Sequence, residues 1–142
     1  MSWLVDADVL CQPVKSHGDR AVIQWLEREQ AEFYRSSIVI DQVAYCIRTK
    51  EGQARTRLQE WLRRSVDVIE GRILNFNVST AHAWADHKFQ LGQIGQPMPI
   101  EDSYIAATAR RHNLTFVTGN DTHFRRPGLK VFNPFKELPS ID

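Results

Sequence analysis

The stretch IEDSYIAATARRHNLTFVTGND, residues 100–121, contains a helix, a strand and a sharp turn in succession. Glu101 to His112 reads as the helix. Its first turn carries two acids, Glu101 and Asp102, which complement the positive end of the helix dipole. Ala106, Ala107 and Ala109 keep this helix slim, so it can pack close to a sheet. Thr115-Phe116-Val117-Thr118 is β-branched, aromatic and short, the composition of a strand. Gly119-Asn120-Asp121 turns the chain directly after it. Helices alternating with short strands are the pattern of a parallel sheet.

The same alternation runs toward both ends. Trp3-Leu4-Val5 is a short apolar run closed by Asp6-Ala7-Asp8, a buried strand with polar residues at its end. Asp19 can cap a helix over Arg20 to Glu27, in which Val22, Trp25 and Leu26 share a face. Phe33-Tyr34-Arg35-Ser36 reads as a second strand. Ile38 to Lys50 reads as a helix with Val39, Val43, Ile47, Ile40 and Cys46 toward a core, although Ile38-Val39-Ile40 could equally prolong the strand. Gly52 interrupts, and a helix resumes from Arg55 to Val68. Ile73 to Phe76 fits an edge strand or an extended linker, and Ser79 opens a further helix that Gly92, Gly95, Pro97 and Pro99 bring to an end. Lys130-Val131-Phe132 is a last short strand. The expected fold is α/β: a central parallel sheet of four to five short strands with helices on both faces, joined by right-handed crossovers.

A chain of 142 residues suits one domain with a core of its own. The net charge of +1 demands no polyanionic partner. Cys11 and Cys46 lack metal-ligand spacing, so zinc is not expected and two free thiols in a reducing cytosol are. Neither a signal peptide nor a membrane-length apolar run is present, which leads to the expectation of a cytoplasmic protein without membrane partners.

In open parallel sheets, ligands bind beyond the carboxyl ends of the strands. Asp6 and Asp8 follow the first strand, Asp41 and Gln42 the second, and Asn120 and Asp121 the fourth, while Glu101 and Asp102 open the helix before it. Carboxylates gathered on one edge repel each other unless a cation joins them. Oxygen ligands suit Mg²⁺ or Mn²⁺ rather than zinc. Such an ion can acidify water and shield a phosphodiester under attack. Acids after strands are also common caps and turn residues, and singly Asp8, Asp19, Glu101 and Asp121 read that way. Asp6 differs, because no helix obviously needs it as a cap.

Five segments resemble a known family in order and spacing. Leu4-Val5-Asp6-Ala7-Asp8-Val9-Leu10 resembles the LDTNV opening of PIN-domain toxins of the VapC/FitB type. Ser36 to Ile47 is similar to their SAITLAELRYGI segment, and Pro99 to Ala109 to their [IS]xxDxxIAATA helix, the most specific match. Phe116 to Asn120 resembles LVTRN/D, and Asn133-Pro134-Phe135 the closing NPW. The resemblance implies one PIN-like α/β/α sandwich over residues 1–142 and an Mg²⁺-dependent endoribonuclease, with Mn²⁺ as a substitute. It further implies the toxin role of a type II toxin–antitoxin module, with RNA as substrate, a cognate antitoxin as partner and a homodimer. It carries Asp6 and Asp102 over as metal ligands and places Gln42 and Asn120 at the remaining site positions.

Two of these positions depart from the family. Its second acid, a glutamate, falls on Gln42, which can coordinate through its carbonyl oxygen but supplies neither charge nor a base. Asp41 is adjacent, but neighbouring helical residues point about 100° apart. The fourth position is Asn120, with Asp121 beside it. A catalytically weakened module acting through RNA or antitoxin binding is therefore the alternative. Arg110-Arg111 and Arg125-Arg126 are candidates for an RNA path, the second pair foremost, and His123 could meet phosphate or an acid. The helices around Trp25 and Leu58–Leu62 could seat a dimer mate or an antitoxin segment. A receiver-like signalling domain shares the sheet and the acids, but it needs a lysine soon after the last core strand, and Lys130 precedes its strand.

Overall fold

The computed structural model describes residues 1–69 and 71–138. Five parallel strands form one sheet: β1 (Trp3–Val5), β2 (Phe33–Ser36), β3 (Ile73–Leu74), β4 (Thr115–Val117) and β5 (Val131–Phe132), in the order β3-β2-β1-β4-β5. Helices flank the sheet, as the alternation predicts. Leu4, Val5, Phe116 and Val117 are fully buried, as expected of central parallel strands covered on both faces.

The order fixes where a ligand can enter. From β1 the chain steps outward through β2 to β3, then crosses back to β4 on the other side of β1. The reversal between β1 and β4 is a topological switch point, where a crevice opens beyond the strand ends. The register pairs Val5 with Val117, so Asp6 and Thr118 leave the sheet side by side. The Asp6 N–H donates to the Val117 carbonyl at 2.9 Å.

Three helices follow β1 and β2 in the chain. The single turn α1 (Ala7–Leu10) follows Asp6 directly. Next in the chain, α2 (Arg20–Glu29) is capped by Asp19 as expected and buries Val22, Trp25 and Leu26. The Trp25 ring lies 5.2–5.4 Å from Trp3, Phe33 and Phe132, which ties α2 to one face of the sheet. The ambiguous Ile38–Ile40 run belongs to α3 (Ser37–Arg48). There the Ser36 hydroxyl accepts the Ile38 N–H at 3.1 Å and turns strand into helix at once. Val39, Val43 and Ile47 face the core, whereas Cys46 is exposed.

Beyond it, α4 (Gly52–Val68) begins three residues before the predicted start and has no fully buried residue. The next helix, α5 (Val78–Gln93), starts one residue earlier than Ser79, because the Asn77 side chain caps it by accepting the Thr80 N–H at 3.0 Å. It packs along α6 (Ile100–Arg111), whose Ala106, Ala107 and Ala109 are fully buried. Between these helices His87 is completely buried, and burial beside Arg110 pushes its pKa down to about 4. The neutral ring accepts from Arg110 Nη1 at 2.9 Å through Nδ1, leaving Nε2–H against the Met98 sulfur at 3.4 Å. Two short helices, α7 (Asp121–Phe124) and α8 (Pro134–Glu137), complete the described chain. No described helix is long and apolar enough to cross a membrane.

Candidate active site

Asp6 stands at the switch point with only 7% of its surface exposed. Its Oδ1 accepts the Ala7 N–H at 2.8 Å, and its Oδ2 accepts the Thr118 hydroxyl at 2.7 Å. Asp6 is therefore the cap of α1, contrary to the expectation that no helix needs it. The helix concerned is one turn long, too short to leave a periodic signal. Burial, then the charge of Asp8, and more weakly that of Asp102, push the Asp6 pKa up to about 6. The bonds from Thr118 and Ala7 oppose this rise.

Asp8 joins the same edge. Its Oδ2 accepts the Gly119 N–H at 2.9 Å, while its Oδ1 is buried without a hydrogen-bond partner. A Cβ at Gly119 would fall 2.6 Å from that Oδ2 and 3.0 Å from the Phe135 ring, so a larger residue there would displace the Asp8 carboxylate. Burial raises the Asp8 pKa and, against the pull of His123, that of Asp102 in the first turn of α6. All three carboxylates thus bind their protons more tightly than usual. They form a site short of positive charge.

The other sequence candidates separate. Gln42 is half-buried and lies three residues beyond Val39, beside the buried stripe of α3, while Asp41 is exposed. Asn120 is exposed at the rim, with its backbone N–H on the Thr118 hydroxyl at 3.0 Å. Asp121 turns away to a structural task. It accepts from Asn133 Nδ2 at 3.0 Å, Arg125 at 3.2 Å and Lys136 at 3.3 Å, and these bonds pull its pKa down to about 2. It ties α7 to α8.

The PIN-domain family model matches residues 3–129. The chain is a PIN domain of the VapC/FitB toxin family. VapC ribonuclease Y4jK of Sinorhizobium fredii is 29% identical to it over 136 residues, covering 94% of this chain and 97% of that one. Toxin FitB of Neisseria gonorrhoeae is 29% identical over 137 residues, covering 94% and 99%. The crystal structure of FitAcB from the same organism superposes with a TM-score of 0.88 at 28% identity, again over 94% and 99% of the two chains.

The donor set of this PIN domain fits a hard cation held by few protein ligands. Among the described residues, no group of three His, Cys, Asp or Glu side chains is placed to hold one ion. Mg²⁺ needs less, one or two carboxylates and several waters. Asp6 and Asp102 lie close enough for one charge to shift the other, and the orphaned Asp8 Oδ1 is an acceptor in want of a donor or cation.

The arginine candidates are largely committed elsewhere. Arg125 bonds Asp121, and Arg126 donates through Nε to the Gln96 carbonyl at 3.1 Å. Arg110 bonds His87 and Gln90, and Arg111 bonds Ser79. These contacts weaken the reading of either pair as an RNA path. His123 is exposed and close enough to lower the Asp102 pKa.

Thr118 is the site residue that sequence reasoning missed. Its hydroxyl donates to Asp6 and accepts from Asn120, so one buried atom links the central acid to the rim. The available signal was its position, the last residue of the predicted strand Thr115–Thr118, which the structure ends at Val117. Thr118→Val keeps the shape and removes the bond, leaving the Asp6 Oδ2 short of a donor. We expect the unfolding temperature to fall by several degrees, in line with about 1–3 kcal/mol for an unmet buried group. The Asp6 pKa should rise further, measurable by carboxyl-carbon NMR.

Proposed function

We propose that this PIN domain is an Mg²⁺-dependent endoribonuclease and the toxin of a type II toxin–antitoxin module. The observation that carries the reading is the buried Asp6 at the β1/β4 switch point, with the half-buried Asp8 and Asp102 near enough to raise its pKa and with few compensating cations. Asp6 and Asp102 would hold the ion, with Mn²⁺ as a substitute. When bound, the ion would supply acidified water and positive charge against the phosphate.

The chain's own groups supply the rest. The Ala7 N–H and Thr118 hydroxyl hold Asp6 in a single orientation. Asp8 is clamped by Gly119, which fixes the edge across from it. The Asn120 amide stands exposed where it can donate to a phosphate oxygen. Likeness to the structures of FitAcB and of FitAB bound to a DNA fragment supports a cognate antitoxin as partner, and we extend the reading to a homodimer.

The test is cleavage of a structured RNA with and without Mg²⁺. Cutting should require the ion, stop on chelation and recover with Mn²⁺. Asp102→Asn should reduce it at least about 100-fold, since a cation ligand contributes several kcal/mol to such a transition state. Equal rates for the variant and the natural protein would remove Asp102 from the metal site. Gln42 favours a second reading, a weakened nuclease that acts by binding RNA or antitoxin, because the family's glutamate is missing there.

A further inference from the structure

We infer that Arg35 is a receptor for a carboxylate presented by a partner protein segment lying along α4. This rests on the partner reading above and is independent of nuclease activity. Strand period places Arg35 on the same face of β2 as Phe33, toward α2. Its side chain is 91% buried, and neither Nε nor Nη1 has a hydrogen-bond partner. No described acid forms an ion pair with it. Its charged neighbour is a second cation, Arg72, whose Nε is also buried and unpartnered. The Phe33 ring, 5.7 Å away, offers a weak cation–π contact.

A guanidinium withdrawn from water without a carboxylate is costly to the folded state, and its planar fork matches a carboxylate in two parallel bonds. Arg35 lines an open cavity of about 170 Å³ between α2 and α4, with Leu10, Ile23, Leu26 and Trp61 in its wall. Glu27 is on the rim, exposed and not paired with Arg35. Trp61 is also a wall of two adjoining cavities of about 440 and 910 Å³, floored by Val43, Ile47 and Leu58. Lys15, Lys50, Arg57 and Arg64 edge this groove.

The shape explains why α4 has no fully buried residue: its inner side forms one wall of a long groove. An apolar trough with basic edges and a bare guanidinium at one end is complementary to an amphipathic acidic peptide. A nucleic acid fits less well, because hydrated phosphates would have to enter an apolar-walled pit to reach Arg35.

The test uses the full chain and 4-phenylbutyrate, an apolar carboxylate, as probe. Acetate, phosphate, 4-phenylbutanol and a short oligouridylate serve as comparators, and the readout is the NMR signal of the Arg35 Nε–H. We expect a saturable shift with 4-phenylbutyrate at least about tenfold tighter than with acetate or phosphate, and none with the alcohol. Arg35→Met should abolish binding and raise the unfolding temperature by a few degrees, since an orphaned buried cation is replaced by an apolar side chain. Arg35→Lys, which keeps the charge but not the fork, should weaken binding at least about tenfold. Absence of a saturable shift, equal response to the alcohol, or tighter binding of phosphate or oligouridylate would overturn the inference. So would a change of oligomeric state in Arg35→Met on sedimentation, which would make the occupant a second copy of this chain.

Discussion

Asp6→Asn should give a protein that is folded, more heat-resistant in metal-free buffer at neutral pH, and at least about 100-fold slower in RNA cleavage. The first two effects follow from the metal-free charge balance. Folding raises the Asp6 pKa from 3.8 to about 6. The folded state therefore binds more protons than the unfolded state between those values. Its stability is greatest below pH 3.8 as far as this group is concerned, and declines as pH rises through the window to about 6. A shift of about two units corresponds to about 3 kcal/mol lost by pH 7. Asparagine carries no charge to lose. It can still cap α1 through its carbonyl oxygen and donate its amide to the Thr118 hydroxyl. Its stability should be nearly flat between pH 4 and 7 where that of the natural protein slopes.

Bound metal should reverse the ranking. An ion that binds only the folded state stabilises it by RT ln(1 + [L]/Kd), about 2.7 kcal/mol at a hundredfold excess over Kd. Protons compete for the same oxygens, so the Mg²⁺ effect on unfolding temperature should be large at pH 7.5 and fade below about pH 6. Asp6→Asn should have little of it at either pH. Calorimetric scans at pH 5 and 7.5, with and without Mg²⁺, measure all four quantities. An asparagine variant that matched the natural protein in metal response would mean that the ion, if bound, is held elsewhere.

Much of this was legible in the residues. β1 and β4 announce themselves by apolar and β-branched runs, and the alternation with helices fixes parallel pairing. Asp6 and Asp102 stand out as acids at strand and helix ends. What the residues do not disclose is register. The Asp6–Thr118 bond spans 112 positions and exists only because Val5 pairs with Val117. Asp121 reads as a cap or turn residue beside Asn120, and its partners Asn133 and Lys136 come back to it only from beyond β5. Arg35 was half-legible. Period two in Phe33-Tyr34-Arg35-Ser36 assigns it the buried face of Phe33, but nothing local tells that no acid among the described residues pairs with it.

Gln42→Glu should raise cleavage about 10- to 100-fold at limiting Mg²⁺, with less effect at saturation, while lowering metal-free stability at neutral pH. The half-buried Gln42 lies beside the Val39–Val43–Ile47 stripe of α3, and that helix packs against both α1 and α6, the elements that follow Asp6 and carry Asp102. A new carboxylate on this helix would add negative charge next to the two elements that carry acids whose pKa values are already raised. Without metal it adds repulsion, costing about 1 kcal/mol or more at pH 7, and the loss should shrink as pH falls toward 5 and protons neutralise the group. With metal, the same charge becomes a ligand or an orienting base, and changes of this kind move affinity about 10- to 100-fold. Asp41→Asn is the control. Asp41 is exposed and about 100° round the helix from Gln42, so its removal should alter neither quantity. Single-turnover rates across a Mg²⁺ titration separate the two readings of the protein. A large gain from a slow natural enzyme would identify Gln42 as the brake that favours binding over cutting. No gain from a natural enzyme that is already fast would mean that Asp6 and Asp102 suffice, and that the amide at position 42 is an adequate oxygen ligand.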